Sequence, residues 1–196
     1  VHALEAAPSR LKACLKKRGW WRPKFQVIAG HLEAPPLEAQ SVDLLFANLS
    51  LIYANNLQET LLQWRELLKP NGLMLISVLG PSCTISRPEQ APKPHQLDVQ
   101  SLGELLMSAS FNEPVLDTDW LTIDYNDSRK LAQDLVQLGW PTSAQPASGE
   151  ETSKSITTEW EMVYASVWSP DEGQTQKTLE GTIASIGIDQ IGRRQR

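Results

Sequence analysis

The chain has little of what builds metal centres or disulfide frameworks. Its 196 residues hold two cysteines, Cys14 and Cys83, and three histidines, His2, His31 and His95. Two cysteines do not make a disulfide scaffold, and free thiols fit a reducing cytoplasm. The histidines are far apart and lack ligand spacing, so no metal is expected. Positive charge is also short. Eighteen Lys and Arg stand against 23 Asp and Glu, for a net charge of -5. A chain without a basic excess is a poor general binder of nucleic acid. No apolar run approaches the roughly 20 residues that cross a bilayer, and no basic-then-apolar leader opens the sequence. A soluble cytoplasmic protein with no membrane partner is therefore expected. A G-x-S-x-G elbow is missing, and neither cysteine has a reactive local signature, which argues against a nucleophilic triad. The seven tryptophans read as packing residues, with Trp20 and Trp21 over a helix end.

What is present is an alternation of strands and helices. Hydrophobic residues make up 41% of the chain, enough for one domain with a sizeable core. "VHALE" opens as a short strand ending at Glu5. A domain rarely begins inside a strand, so an earlier start or a truncated form is expected. "APSRLKACLKKRG" reads as a helix that starts at Pro8 and Ser9 and stops at Gly19, with Leu11, Cys14 and Leu15 at helical spacing and Lys16, Lys17 and Arg18 in its last turn. "KFQVIAG" is a second strand, "HLEAPPLEAQS" a loop broken by two prolines, and "VDLLFAN" a third strand. "LQETLLQWRELL" is an amphipathic helix with Leu57, Leu61, Leu62, Trp64, Leu67 and Leu68 inward, ended by the turn "KPNG". "LMLISVLG" is wholly apolar, as expected of a parallel strand covered on both faces.

After a proline-rich loop, Asp98 suits the N-cap of a helix with Leu102, Leu105, Leu106 and Ala109 inward. "EPVLDTDWLTIDY" is a strand, "SRKLAQDLVQLG" a helix, and "SITTEWEMVYASVW" a long last strand. Ile156, Thr158, Trp160, Met162 and Tyr164 are expected on its covered face. Residues 141–155 read as a flexible connection and the tail from Ser169 as polar. The order argues for an α/β fold, mostly parallel, with an antiparallel strand added at the edge.

In open α/β sheets, ligands bind beyond the carboxyl ends of the strands. Those ends fall at Glu5, at Gly30 and His31, at Asn48 to Leu51, and at Gly80 to Ser82. A carboxylate directly after a strand can accept hydrogen bonds from both cis hydroxyls of a ribose. The competing reading of Glu5 is an acid favoured by a helix N-terminus.

The stretches "VDLLFANLSLIYANNLQETLLQWRELLKPNGLMLISVLGP", "LDVQSLGELLMSASFNEPVLDTDWLTIDYNDSRKLAQDLVQLG" and "WEMVYASVW" resemble the class I S-adenosylmethionine-dependent methyltransferases. More narrowly they are similar to the malonyl-acyl-carrier-protein O-methyltransferase (BioC) family of biotin synthesis. The resemblance implies a Rossmann-like methyltransferase fold whose first strand and glycine-rich D-x-G-x-G loop are missing here. The implied methyltransferase domain is 1–168, with 169–196 as a C-terminal tail. The implied cofactor is S-adenosylmethionine. Glu5 would hold its ribose, His31 and Leu32 its adenine, and Asn48 and Leu49 would lie beside its methionine part and the substrate.

His31 stands where the family has aspartate, and "WPTSAQPASGEETSKS" is shorter and more polar than the family's counterpart. The implied partner is an acyl-carrier protein bearing a malonyl thioester. Arg87, Lys93 and the terminal arginines are candidates to meet its acidic surface. Two other readings stay open. One is a non-catalytic or fragmentary relative that binds a protein, and the other an assembly factor of respiratory complex I acting on a protein side chain. No catalytic residue and no oligomeric state is readable.

Overall fold

A computed structural model describes residues 1–17, 24–84, 94–138 and 155–171, together with the backbone of 175–178 and 181–184. Arg18, Gly19, Trp20, Trp21, Arg87, Lys93, the 141–154 stretch and the terminal arginines lie outside the described residues.

The chain opens with β1 (His2–Glu5), α1 (Pro8–Lys17) and β2 (Gln26–Ala29). Strands β1 and β2 pair in parallel, with Glu5 beside Ala29. Pro8 begins α1, where its missing N–H costs nothing. Leu11 and Cys14 are half-buried and Leu15 is exposed, so the apolar stripe of α1 is only partly covered. Both cysteines are free thiols, and burial pushes that of Cys83 up.

Next come β3 (Val42–Asn48), a short helical turn at Leu51–Tyr53, α2 (Leu57–Leu67) and β4 (Leu68–Leu79). Asn56 is the N-cap of α2 and accepts from the Glu59 backbone N–H at 3.1 Å. Its own amide returns a bond to the Glu59 carboxylate at 3.2 Å, a reciprocal cap. The expected turn at "KPNG" takes a different form. Strand β4 begins at once after α2, and the four residues form an irregularity inside it. Val42 pairs with Leu68, and two residues later Leu44 pairs with Leu73. Asn71, at φ 58°, takes the left-handed conformation that absorbs the extra length.

The remainder comprises α3 (Val99–Ser108), β5 (Asn112–Tyr125), α4 (Ser128–Leu138), β6 (Ile156–Trp168) and a hairpin of β7 (Thr175–Thr178) and β8 (Gly181–Ala184). Asp98 caps α3 by accepting from the Ser101 N–H at 2.7 Å, which holds its carboxyl below the usual range. The larger sheet has the order β3-β4-β6-β5. Strand β3 is parallel to β4, while β6 runs antiparallel to both β4 and β5 and lies one place in from the outer edge.

One face of this sheet carries the core. Met74, Ile76, Val78, Val163, Ala165 and Val167 are buried against Leu61, Leu62, Leu102 and Leu106 of α2 and α3. The other face is open among the described residues over the first half of β4, whereas Ser77, Leu79 and Met162 on that same face are buried. Leu44, Phe46, Val115, Tyr164 and Trp168 are all exposed there, Phe46 by 71%. Two expectations are thereby corrected. Leu73 and Leu75 of β4 are half-buried, not covered on both sides. Tyr164 points away from the core, because the buried side of β6 changes. Thr158 and Trp160 are buried before β6 reaches β4, and Val163, Ala165 and Val167 where it runs beside β4, with Glu161 and Met162 both buried at the changeover.

Candidate cofactor site

The five residues singled out in the sequence all fall at the carboxyl ends of parallel strands. Glu5 ends β1 and His31 follows β2 by two residues. The Gly30 N–H donates to the Glu5 carbonyl at 3.2 Å, which joins these two ends. Gly30 is required by a close approach. A Cβ there would lie 2.5 Å from the Pro36 ring, because the 31–36 loop folds back over the strand end. His31 is exposed, and Leu32 is half-buried against the core.

The Glu5 carboxylate serves the local fold as well as any ligand. One oxygen accepts from the Ala7 N–H at 2.8 Å, and the other from Arg10 Nε at 3.0 Å. The helix-terminus reading of Glu5 is thus realised, and its side chain is 20% exposed. A carboxylate has about four acceptor positions, so two bonds leave capacity for hydroxyls.

Asn48 and Leu49 are organised by Ser77 of the neighbouring strand. The buried Ser77 hydroxyl donates to Asn48 Oδ1 and accepts from the Leu49 N–H at 3.2 Å. The Leu49 N–H also reaches the Ser77 carbonyl at 3.0 Å. Leu49 takes the left-handed conformation, φ 54°, and turns the chain sharply off the strand. A cleft of about 450 Å³ on the open sheet face touches this site through Asn48 and Ser77, and continues past Phe46, Leu75, Tyr164 and Asp117.

Several residues that the sequence did not mark tie the two halves together. Glu33 accepts hydrogen bonds from Asn55 and Asn56, and the Asn55 side-chain amide in particular holds its carboxyl below the usual range. Buried Trp64 donates from Nε1 to the Leu32 carbonyl at 2.8 Å. His95, set aside as a metal ligand, bonds the Ala54 carbonyl at 2.9 Å through its ring, while its N–H donates to the Ile52 carbonyl. Burial pushes the Tyr53 hydroxyl up, and its O–H donates to the Leu138 carbonyl at 2.9 Å. These contacts join segments distant in sequence, so no local motif announces them. No cluster of metal-ligating side chains occurs among the described residues. Nor is any helix among them long and apolar enough to cross a membrane.

A family model described as a methyltransferase domain matches residues 1–76, the stretch that holds all five residues. A malonyl-acyl-carrier-protein O-methyltransferase of Xylella fastidiosa is 30% identical, over 100% of this chain and 75% of its own. The mitochondrial arginine-hydroxylase NDUFAF5 of Dictyostelium discoideum is 27% identical over 79% of this chain and 43% of its own. Among solved structures, a Bacillus halodurans protein assigned as a methyltransferase superposes with a TM-score of 0.62. It shares 14% identity, over 87% of this chain and 83% of that one, and so speaks for the fold alone. The chain belongs to the class I S-adenosylmethionine-dependent methyltransferases, of the malonyl-acyl-carrier-protein O-methyltransferase family, with S-adenosylmethionine as its cofactor.

Proposed function

We propose that this enzyme methylates the free carboxyl of a malonyl thioester carried on acyl-carrier protein. The observation that carries this is the match to enzymes of that name, which extends along the whole chain for the Xylella relative. The chemistry is consistent with it. A carboxylic acid with a pKa near 4 is already an anionic nucleophile at neutral pH, so a strong general base is not needed.

When bound, S-adenosylmethionine supplies an activated methyl group. The chain's own task is to hold and orient. Glu5 would take the ribose hydroxyls on the acceptor capacity that Ala7 and Arg10 leave. His31 and Leu32 would flank the adenine, and Asn48 and Leu49, held by Ser77, would border the reacting end. Arg87, Lys93 and the terminal arginines remain the candidates for docking the acidic carrier.

A second reading has one observation in its favour, the similarity to the mitochondrial arginine-hydroxylase. Under it the chain acts on a protein side chain instead of on a carried malonyl group. Incubation with malonyl-acyl-carrier protein and S-adenosylmethionine separates the two. A base-labile methyl ester on the malonyl group, seen by mass spectrometry of the carrier, is the expected result. A chain that binds S-adenosylhomocysteine yet leaves the malonyl group unmethylated would overturn the carboxyl reading.

A further inference from the structure

We propose that Glu33 is a positioning residue for the cofactor, a carboxylate strut that ties the loop after β2 to the loop entering α2 and so fixes where His31 and Leu32 stand. The inference rests on the reading above that these two residues flank the adenine.

Glu33 follows the adenine pair directly. Its Oε2 accepts from Asn55 Nδ2 at 2.8 Å. Its Oε1 accepts from the backbone N–H groups of Asn55 and, at 3.3 Å, of Asn56. Three donors thus converge on one carboxylate from residues 22 and 23 positions further along the chain. Asn56 is also the N-cap of α2, so the carboxylate lies by the positive end of that helix, where negative charge is favoured. Three of its acceptor positions are thereby committed to the protein, against two at Glu5.

What the strut joins gives it a functional meaning. The β2 loop holds His31 and Leu32, and the segment from Asn48 through the Leu51–Tyr53 turn ends at Asn55. A ligand spanning both must meet them at a fixed separation. Among the described residues, the Trp64 contact to the Leu32 carbonyl is a second side-chain bond that holds this stretch, here to α2. Removing the Glu33 charge lets the adenine loop drift while the strand pairing of the larger sheet, in which Glu33 takes no part, stays intact. The amide of Gln keeps one acceptor oxygen but loses the charge and the second acceptor, so cofactor binding about tenfold weaker is expected.

The test is calorimetric titration of the full chain with S-adenosylhomocysteine for wild type, E33Q and N55A, alongside peptide-resolved hydrogen exchange without ligand. E33Q should bind about tenfold more weakly, with faster exchange confined to 31–34 and 54–57; N55A should shift the same way by less. Equal binding by wild type and E33Q overturns the positioning role alone. Weaker binding with exchange raised throughout α3, β4 and β6 also overturns it, because the effect is then general stability. A folded wild type that fails to bind overturns the cofactor reading and the role with it.

Discussion

Trp64→Phe examines the link between the core and the loop after β2 most directly. Trp64 is 4% exposed, and its indole N–H is the donor for the Leu32 carbonyl at 2.8 Å. Phenylalanine fills most of the same space but leaves that half-buried carbonyl without its partner. An orphaned acceptor costs about 1–3 kcal/mol, and the low end applies because water can reach part of this loop. The lost ring atoms add about 1–2 kcal/mol of transfer and cavity cost. The sum is about 2–3 kcal/mol.

For a chain of this length, that corresponds to a fall in Tm of roughly 5–10 °C. Urea unfolding followed by far-UV circular dichroism measures it. Tryptophan emission is a poor reporter, because seven indoles contribute. A cost below about 0.5 kcal/mol would refute the reasoning, since that is the range of ordinary surface changes. Weakened S-adenosylhomocysteine binding by a variant still folded at the assay temperature should accompany the loss.

The two sheet faces predict opposite outcomes for apolar substitutions. Leu102→Ala, at a fully buried position, should cost about 2–5 kcal/mol in urea unfolding, whereas Phe46→Ser should change stability by less than about 0.5 kcal/mol. Ser77→Ala should cost about 1 kcal/mol, because Leu49 keeps its bond to the Ser77 carbonyl while Asn48 loses its anchor. A measured loss above about 3 kcal/mol would contradict that account. Asp98→Ala should lower Tm and Asp98→Asn restore much of it, since asparagine can also accept from the Ser101 N–H. The carboxyls of Glu33, Asp98 and Asp127 are all held below their unfolded values. Their contribution is therefore complete above the ordinary carboxylate range and is lost as pH falls through the lowered folded values. A stability profile flat down to that acidic range would contradict the assignment, and E33Q should remove part of the acid dependence.

Much of the architecture was legible in the sequence because it depends on local rules. The "VDLLFAN" strand, the α2 stripe and the Asp98 cap follow from side-chain period and cap chemistry, and each appears where expected. "KPNG" was misjudged because a left-handed Asn71 can keep a chain in a sheet as easily as turn it out. Tyr164 was misjudged because strict alternation assumes one covered face, and β6 meets β5 along its length but β4 only over its second half.

At the candidate site, the residues the sequence marked are those beside a strand end, where position alone suggests contact with a ligand. The residues that hold them were invisible. Glu33 reads as one acid in a proline-broken loop until Asn55 and Asn56 are brought to it, and Ser77 reads as a polar interruption in an apolar strand.

The sequence by itself determined the element order, the helix caps and the strand ends that carry Glu5, His31 and Asn48, because each depends on neighbours a few positions away. The tertiary structure alone decided which part of the sheet is open, how β6 enters the sheet, and which groups hold the loop after β2. Those depend on pairings between residues tens of positions apart, and nothing in a local pattern specifies which distant strand or carboxylate will satisfy a given donor.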